Sequence, residues 1–182
     1  NWKILSADYS QQEPRILTHF AILNGNKGAE EVHDAFVSGL DFHKQTAEMA
    51  GIDRRLAKTI GLGVMYGMGY NKLAKELDME PQDAKKMLQD FHGKVPFMKG
   101  MLEAVMNRAN SKGVIRTLLG RKCRFDLWEP TSWGVHKALP LNQAQTEYGM
   151  AIKRAHTYKA LNRLIQGSAA DQTKKAMVDV YE

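Results

Sequence analysis

Cysteine is almost absent from this chain, and long apolar runs, internal repeats and low-complexity tracts are absent altogether. The lone Cys123 cannot form a disulfide within the chain, so the sequence is compatible with a reducing compartment. Apolar runs stop well short of the roughly 18 residues that a membrane-spanning helix needs, and no signal peptide opens the chain. The sequence therefore predicts a protein that has no internal disulfide and makes no use of a membrane.

The composition is that of a folded, mildly basic protein. A length of 182 residues fits one domain, or two sub-domains that share one core, and 43% hydrophobic residues are ample for that core. Lys and Arg number 26 against 20 Asp and Glu, a net charge of +6. Nucleic acid is a natural partner for that excess, but many proteins carry a modest positive charge without binding it, so the charge leaves both interpretations open.

Local patterns predict a mostly helical α+β fold. Apolar residues before Asp8 predict a short buried strand over residues 2–8, and residues 114–125 predict a hairpin around Leu119-Gly120-Arg121. Residues 126–141 are predicted to be irregular. Caps, prolines and glycines delimit the predicted helices, which cover residues 13–23, a short segment near 29, 42–50 behind Asp41, 54–69 behind Asp53, 81–93, 96–113, and a long basic helix from about Asn142 to the end.

Asp8 is the first candidate for chemistry. An acid at the end of a strand is well placed to hold a hard divalent ion, because Mg²⁺ prefers oxygen ligands and takes only one or two carboxylates. A lone Asp that simply ends a strand at a turn is the ordinary alternative.

Arg54, Lys58, Tyr66 and Gly67 form the pattern R-x3-K-x7-YG. On a helix Arg54 and Lys58 lie one turn apart, roughly 6 Å along the axis, on nearly the same face. Two such cations can bind successive phosphates of a triphosphate, and Tyr66 lies two turns beyond Lys58, where its ring could meet a base. A solvated charged stripe with Tyr66 in the core is the alternative.

Two further patterns involve single polar groups. His43 follows Asp41 and Phe42 at a predicted helix start, where a His is ordinarily a cap or a surface residue. Asn162 and Gln166 lie one helical turn apart, so both amides could read the shared acceptors of a DNA minor groove without reading sequence. Amides on a helix are otherwise surface residues.

Five segments resemble, in chain order, the motifs of the DNA polymerase I (A) family. They are SADYSQQEPR, DFH, RRLAKTIGLGVMYGM, TLLGRKCRF and IQGSAAD. The resemblance covers nearly the whole chain. Two positions depart from the family pattern, since Gln12 replaces an apolar residue and Pro14 replaces Leu. Leu62 stands where the family often has Phe or Tyr, a variant found among viral members.

The resemblance implies a role for each matching residue in a DNA-directed DNA polymerase. Asp8 and the Tyr9 backbone carbonyl would bind the metals, two Mg²⁺ ions with Mn²⁺ as an alternative, and Asp8 and Lys58 would be catalytic. Glu13 would stack under the sugar and exclude a 2′-OH. The incoming dNTP would contact Gln11, Glu13, His43, Arg54, Lys58, Leu62 and Tyr66. Primer–template DNA would contact Tyr66, Gly67, Arg121, Asn162 and Gln166.

The resemblance also implies how the chain is organised. Residues 1–30 would belong to the palm, residues 31–140 to the fingers with the triphosphate-binding helix near 53–68, and residues 141–182 to a helix that returns to the palm. The partners would be primer–template DNA and dNTPs, the protein would be monomeric, and its location would be the cytoplasm, or the host cytoplasm if it is viral.

The chain begins with Asn1 rather than Met, which suggests a fragment. The second metal-binding Asp of the family, in a His-Asp-Glu turn, would lie beyond Glu182, and His33-Asp34-Ala35 does not replace it. The isolated chain is therefore expected to be inactive. A single-subunit RNA polymerase shares the R-x3-K-x7-YG helix, but Glu13 argues against it. A basic, helical, non-catalytic nucleic-acid-binding module is the alternative of another class.

Overall fold

The structure is a computed structural model that describes residues 2–4 and 6–181. The described residues form a mostly helical α+β fold, as the sequence predicts. The helices are α1 (Gln12–Leu23), α2 (Ala29–Val37), α3 (Phe42–Ala50), α4 (Arg54–Met65), α5 (Tyr70–Leu77), α6 (Pro81–Lys94), α7 (Pro96–Lys112), α8 (Leu141–Tyr148) and α9 (Ala160–Tyr181). The strands are β1 (Val114–Arg116), β2 (Lys122–Arg124), β3 (Leu127–Pro130), β4 (Leu139–Pro140) and β5 (Ile152–Arg154). A 3₁₀ turn, Thr157–Lys159, precedes α9.

Local capping chemistry sets several helix starts, as predicted. The Asp41 carboxylate accepts a hydrogen bond from the Lys44 amide, and the Asp53 carboxylate accepts one from the Leu56 amide. Each bond satisfies a backbone donor that has no partner within the helix. Pro81 occupies the first turn of α6, where its missing N–H costs nothing. These predictions are confirmed because capping depends only on neighbouring residues.

The core lies where α1, α4, α7 and α9 pack together, with α3 against α4. Phe42 is fully buried, stacks on Phe36 at 5.9 Å between ring centroids and meets Phe97 edge-on at 6.3 Å. Burying a side chain of this size contributes about 1.5–3 kcal/mol. Because α1, α4 and α9 share this core, residues far apart in sequence are held at fixed mutual positions.

Two small antiparallel sheets flank the helices. β1 and β2 form the predicted hairpin, with Ile115 opposite Cys123, and its turn is closed by a hydrogen bond from the Gly120 amide to the Thr117 carbonyl. The second sheet has the strand order β4-β3-β5, in which Trp128 lies opposite both Leu139 and Arg154. Part of the segment predicted to be irregular is therefore strand.

The predicted strand over residues 2–8 is wrong for the described residues. Residues 2–4 and 6–9 have no strand conformation, and Trp2 and Ile4 are exposed rather than buried. Leu5 lies outside the described residues. A strand needs a neighbouring strand for its backbone hydrogen bonds, and both sheets of the described part use only residues between 114 and 154.

The predicted long helix from Asn142 is also wrong. Helix α8 ends at Tyr148, Gly149 has a φ of 74°, and the chain then forms β5 before α9 begins at Ala160. The pairing of β5 with β3 supplies backbone hydrogen bonds that compete with helix continuation. Helix α5, which the sequence analysis missed, follows a break at Gly67, whose φ is 72°.

Across residues 2–4 and 6–181, no helix has both the length and the apolar composition needed to cross a membrane.

Candidate active site

Helix α4 supplies one wall of a cavity of about 260 Å³, which Lys58, Leu62 and Tyr66 line together with Thr59, Lys72 and Glu76. Lys58 is exposed, whereas Leu62 is half-buried and packs partly against the core. The predicted phase of the helix therefore brings an ammonium group, an apolar side chain and an aromatic ring to one concave surface. Such a surface offers a cation for phosphate and an apolar contact for a sugar or base.

Arg54 does not line this cavity but is bound to Asp41. Its Nε donates to Oδ1 at 3.0 Å and its Nη2 donates to Oδ2 at 3.0 Å, a two-pronged contact. The Arg54 hydrogen bonds are the main reason that the pKa of Asp41 lies below its ordinary value. A phosphate that approaches Arg54 has to share the guanidinium with Asp41 or displace it.

His43 is buried beside this pair. Burial lowers its pKa below the ordinary value, Arg54 and Lys58 lower it further, and only Asp41 acts in the opposite direction. Its Nδ1 is buried and has no hydrogen-bond partner among the described residues. A buried polar atom without a partner costs free energy and needs an explanation, and an incoming acceptor or donor would supply one.

Glu13, Tyr66 and Gln166 meet at the end of α4, although they come from three different elements. The Tyr66 hydroxyl donates to Glu13 Oε2 at 2.8 Å. Burial and the Glu13 carboxylate raise the pKa of Tyr66, and the nearby Gln166 side chain opposes that rise. The predicted sugar-contacting acid, template-contacting ring and minor-groove amide therefore form one cluster.

Gly67 continues this cluster toward the 3₁₀ turn. A Cβ on Gly67 would lie 2.8 Å from the Tyr158 carbonyl oxygen, and its φ of 72° disfavours any other residue. Both facts explain the glycine in the YG pair by backbone packing.

Gln11 and Gln12 contact other protein groups. Gln11 has a φ of 52°, and its Oε1 accepts a hydrogen bond of 2.7 Å from the Phe42 amide at the start of α3. Gln12 Nε2 donates to the Ala169 carbonyl at 3.2 Å and to Gln172 Oε1 at 3.2 Å. The polar residue at position 12 therefore connects α1 to α9. The side-chain carbonyl of Gln11 is occupied by its hydrogen bond from the first residue of α3.

Asp8 and Tyr9 lie in the irregular segment before α1, and both are exposed. A carboxylate and a backbone carbonyl are oxygen donors of the kind that Mg²⁺ prefers. In the described part of the chain, no three His, Cys, Asp or Glu side chains lie close enough together to hold a metal ion. The donors fit a divalent ion in kind, but they form only part of a ligand set.

Arg121 locks the β1–β2 hairpin onto α9. Its Nε donates to Asp171 Oδ1 at 2.8 Å, and its Nη2 donates to the Gly167 carbonyl at 2.9 Å. The Thr117 hydroxyl donates to the other Asp171 oxygen at 2.5 Å and is the main cause of the lowered pKa of Asp171. Asn162, one turn before the exposed Gln166 on the same helix, is half-buried.

Sequence reasoning missed the three residues that hold these groups in place. Asp41 was predicted only as a helix cap, and neither Gln12 nor Asp171 was expected to join elements. The partners of these side chains lie 13, 157 and 50 residues away. Local sequence patterns do not predict contacts between residues so far apart in the chain.

The fold is of the class found in polymerase domains, as one solved structure shows. The structure superimposes on the POL domain of Pol1 from M. smegmatis, solved in complex with DNA primer-template and dNTP, with a TM-score of 0.70 and 28% sequence identity. The match covers 95% of this chain and 28% of that chain.

The family model described as DNA polymerase family A matches residues 1–182, and the chain belongs to that family. It is similar to the DNA-directed DNA polymerase of Pseudomonas phage M6, with 33% identity over 225 residues that cover 97% of this chain and 30% of the relative. It is also similar to DNA polymerase I of Pseudomonas aeruginosa, with 32% identity over 188 residues, 98% of this chain and 18% of the relative.

The predicted family resemblance is confirmed, and these relatives are DNA polymerases rather than RNA polymerases. The chain spans about a third or less of the length of the curated relatives that it matches.

Proposed function

We propose that this chain forms part of the catalytic region of a DNA-directed DNA polymerase, which transfers a nucleotidyl group from a dNTP to a primer 3′-OH. The observation that carries the proposal is the cluster of Glu13, Tyr66 and Gln166 at the end of the helix that bears Lys58. The structural neighbour binds primer-template DNA and dNTP, which supports the same pair of partners here.

In this proposal α4 binds the triphosphate. Lys58 contacts a phosphate as a point charge, and Arg54 exchanges its contact with Asp41 for a second phosphate. His43 Nδ1, which is buried without a partner in the described structure, gains one from the phosphates. Leu62 offers an apolar surface to the sugar, one turn beyond Lys58.

In this proposal Glu13 and Tyr66 control which nucleotide sugar and which templating base enter the site. Glu13 occupies the space next to the sugar and disfavours a 2′-OH, and Tyr66 occupies the position of the templating base until the two side chains separate. Asn162 and Gln166 meet the minor groove of the primer–template. Gln11 acts indirectly, because its hydrogen bond to the Phe42 amide positions the helix start that presents His43.

Asp8 and the Tyr9 carbonyl would hold the metal ions that family A polymerases generally need, and Mg²⁺, as two ions, suits these oxygen donors. Bound metal would stabilise negative charge on the attacking and leaving oxygens. We further propose that residues 1–30 belong to the palm, residues 31–140 to the fingers and residues 141–182 to a palm helix region.

The test is single-nucleotide incorporation by the full-length protein. Lys58→Ala should lower kcat/KM by the equivalent of about 2–4 kcal/mol, as loss of a well-placed charge contact in the transition state does. The matched control is Lys75→Ala, which removes an exposed lysine from α5, outside the cavity. Equal kinetics for both variants would sink the proposal.

A further inference from the structure

The positive charge of this chain is concentrated in one segment, residues 108–163. That segment holds eleven Lys and Arg residues and three Asp and Glu residues, a net charge of +8. All other residues together hold 15 basic and 17 acidic side chains, a net charge of −2. The net charge of +6 is therefore a property of the segment that contains both sheets.

Three of these cations share one face of the β1–β2 hairpin. The register places Arg116 opposite Lys122 and Val114 opposite Arg124. Directly paired residues lie on the same face of a sheet, as do alternate residues along one strand. Arg116, Lys122 and Arg124 therefore lie on one face, where all three are exposed, while Ile115 on the opposite face is buried.

This face carries no compensating carboxylate. Among the ion pairs of the described residues, none involves Arg116, Lys122 or Arg124. Arg116 and Lys122 are directly opposite each other, where like charges destabilise strand pairing. Arg121, in the same hairpin, is instead paired with Asp171. The hairpin therefore maintains an unfavourable cluster of cations that an external anion would relieve.

We infer that Arg116, Lys122 and Arg124, here called the ribbon face, bind the phosphate backbone of DNA. The inference rests on the proposed function, because it takes the primer–template as the source of the phosphates. The hairpin is fixed to α9 by Arg121 and by the hydrogen bond from the Leu118 amide to Ser168 Oγ. The ribbon face is therefore held in a fixed position relative to the helix that carries Asn162 and Gln166.

The experiment measures primer–template binding by fluorescence anisotropy over a range of salt concentrations, with the full-length protein. Each phosphate contact contributes about 0.9 to the slope of log K against log salt concentration. Replacing Arg116, Lys122 and Arg124 by Gln together should reduce that slope by about 2–3. The matched control replaces Lys27, Lys75 and Lys86 by Gln, since these three lysines are exposed on other elements.

The control variant should change the slope by less than about 1, the value of a single contact. An equal change in both triple variants would mean that only net charge matters, and an unchanged slope in the ribbon-face variant would mean that the face meets no phosphate. Either result overturns the inference.

Two probes distinguish the source of the phosphates. A blunt duplex and a primer–template with a long single-stranded 5′ overhang are compared at equal duplex length. Weaker binding of both probes by the ribbon-face variant assigns the contact to the duplex backbone, and weaker binding of the overhang probe alone assigns it to the template strand. Unchanged binding of both contradicts the inference.

A third variant keeps the inference testable if the triple variant does not fold. Lys122→Glu places a carboxylate opposite Arg116, so the melting temperature at low salt should rise while DNA binding weakens. A higher melting temperature with undiminished DNA affinity would contradict the inference. If the wild-type full-length protein binds no primer–template at all, the proposed function itself fails, which is a different outcome from wild-type binding with an unchanged ribbon-face slope.

Discussion

At the scale of single residues, the ion pair between Arg54 and Asp41 sets the state of the proposed triphosphate-binding helix before a nucleotide arrives. Asp41 both caps α3 and binds both prongs of the Arg54 guanidinium. The sequence reveals the first role, because capping is local, but not the second, because the helices that carry the two residues must first pack together. The Asp41 carboxylate therefore holds Arg54 in place and also competes with the phosphate that Arg54 is proposed to bind.

Asp41→Asn should strengthen dNTP binding in the full-length protein. Asn is as good a helix cap as Asp, so α3 keeps its start, but the neutral amide competes less with phosphate for Arg54. We expect a lower KM for dNTP with kcat little changed, measured by steady-state incorporation. Arg54→Ala should raise KM in both backgrounds. A raised KM in Asp41→Asn would instead mean that Asp41 orients Arg54 toward the phosphates.

Glu13→Ala should raise ribonucleotide incorporation relative to deoxyribonucleotide incorporation, because it opens space for a 2′-OH. We expect the ratio of kcat/KM for rNTP and dNTP to rise by about tenfold or more, equivalent to at least about 1.4 kcal/mol. Tyr66→Phe is the control, since it removes the hydroxyl that donates to Glu13 and keeps the aromatic ring. If both variants change the ratio equally, the hydrogen bond rather than the volume of Glu13 controls sugar selection.

At the scale of secondary structure, elements fixed by local chemistry were predicted and elements fixed by distant pairing were not. The starts of α3, α4, α6 and α7 follow from capping residues and prolines. The break at Gly149 and strand β5 depend on pairing with β3, more than twenty residues earlier. The candidate site follows the same division: the helix phase that brings Lys58, Leu62 and Tyr66 together was predictable, whereas the Glu13–Tyr66 contact was not.

The attachment of the hairpin to α9 can be tested with Asp171→Asn. The side chain of Asp171 is 10% exposed and accepts from both Thr117 and Arg121. Since Arg121 is itself half-exposed, we expect a loss of only about 1 kcal/mol in the free energy of unfolding. The matched control is Asp179→Asn on the same helix, whose exposed pair with Lys175 should contribute less than about 0.5 kcal/mol. Urea unfolding measures both, and equal losses would contradict a locking role.

At the scale of the whole molecule, one core joins the segments that the sequence separates. Glu13 lies in α1, Tyr66 follows the last residue of α4, and Gln166 lies in α9; all three helices contribute buried side chains to that core. His43 in α3 is buried and His92 in α6 is half-buried, and in the described structure each has a buried Nδ1 without a hydrogen-bond partner. Global stability should therefore depend on pH.

The free energy of unfolding should fall as the pH drops from 7.5 to 5.5. Burial is the main cause of the lowered pKa of both His43 and His92, with Lys99 and Glu103 acting on His92 in opposite directions. The unfolded chain takes up protons first, so this stability is fully present above the ordinary pKa of 6.5 and is lost as the pH falls through the lowered, folded values.

Urea unfolding at several pH values measures this dependence. Replacing both histidines by Gln should reduce the pH dependence of the free energy of unfolding. At pH 7.5 unperturbed histidines are mostly neutral, so the difference in the free energy of unfolding between variant and wild type at that pH measures the loss of packing alone. If the free energy of unfolding depends on pH as steeply in the double variant as in the wild type, groups other than these two histidines cause the dependence.

The hydrogen bond between Tyr66 and Glu13 also has a thermodynamic consequence. In the proposed function one side chain meets the templating base and the other meets the sugar of the nucleotide, so either ligand must break the same 2.8 Å contact. The ligand that binds first removes that cost for the second, and the two therefore bind with positive cooperativity. Linkage requires template to raise nucleotide affinity by the same factor by which nucleotide raises template affinity. Tyr66→Phe, which lacks the hydroxyl, should lower this shared factor, because its ligands no longer have that contact to break.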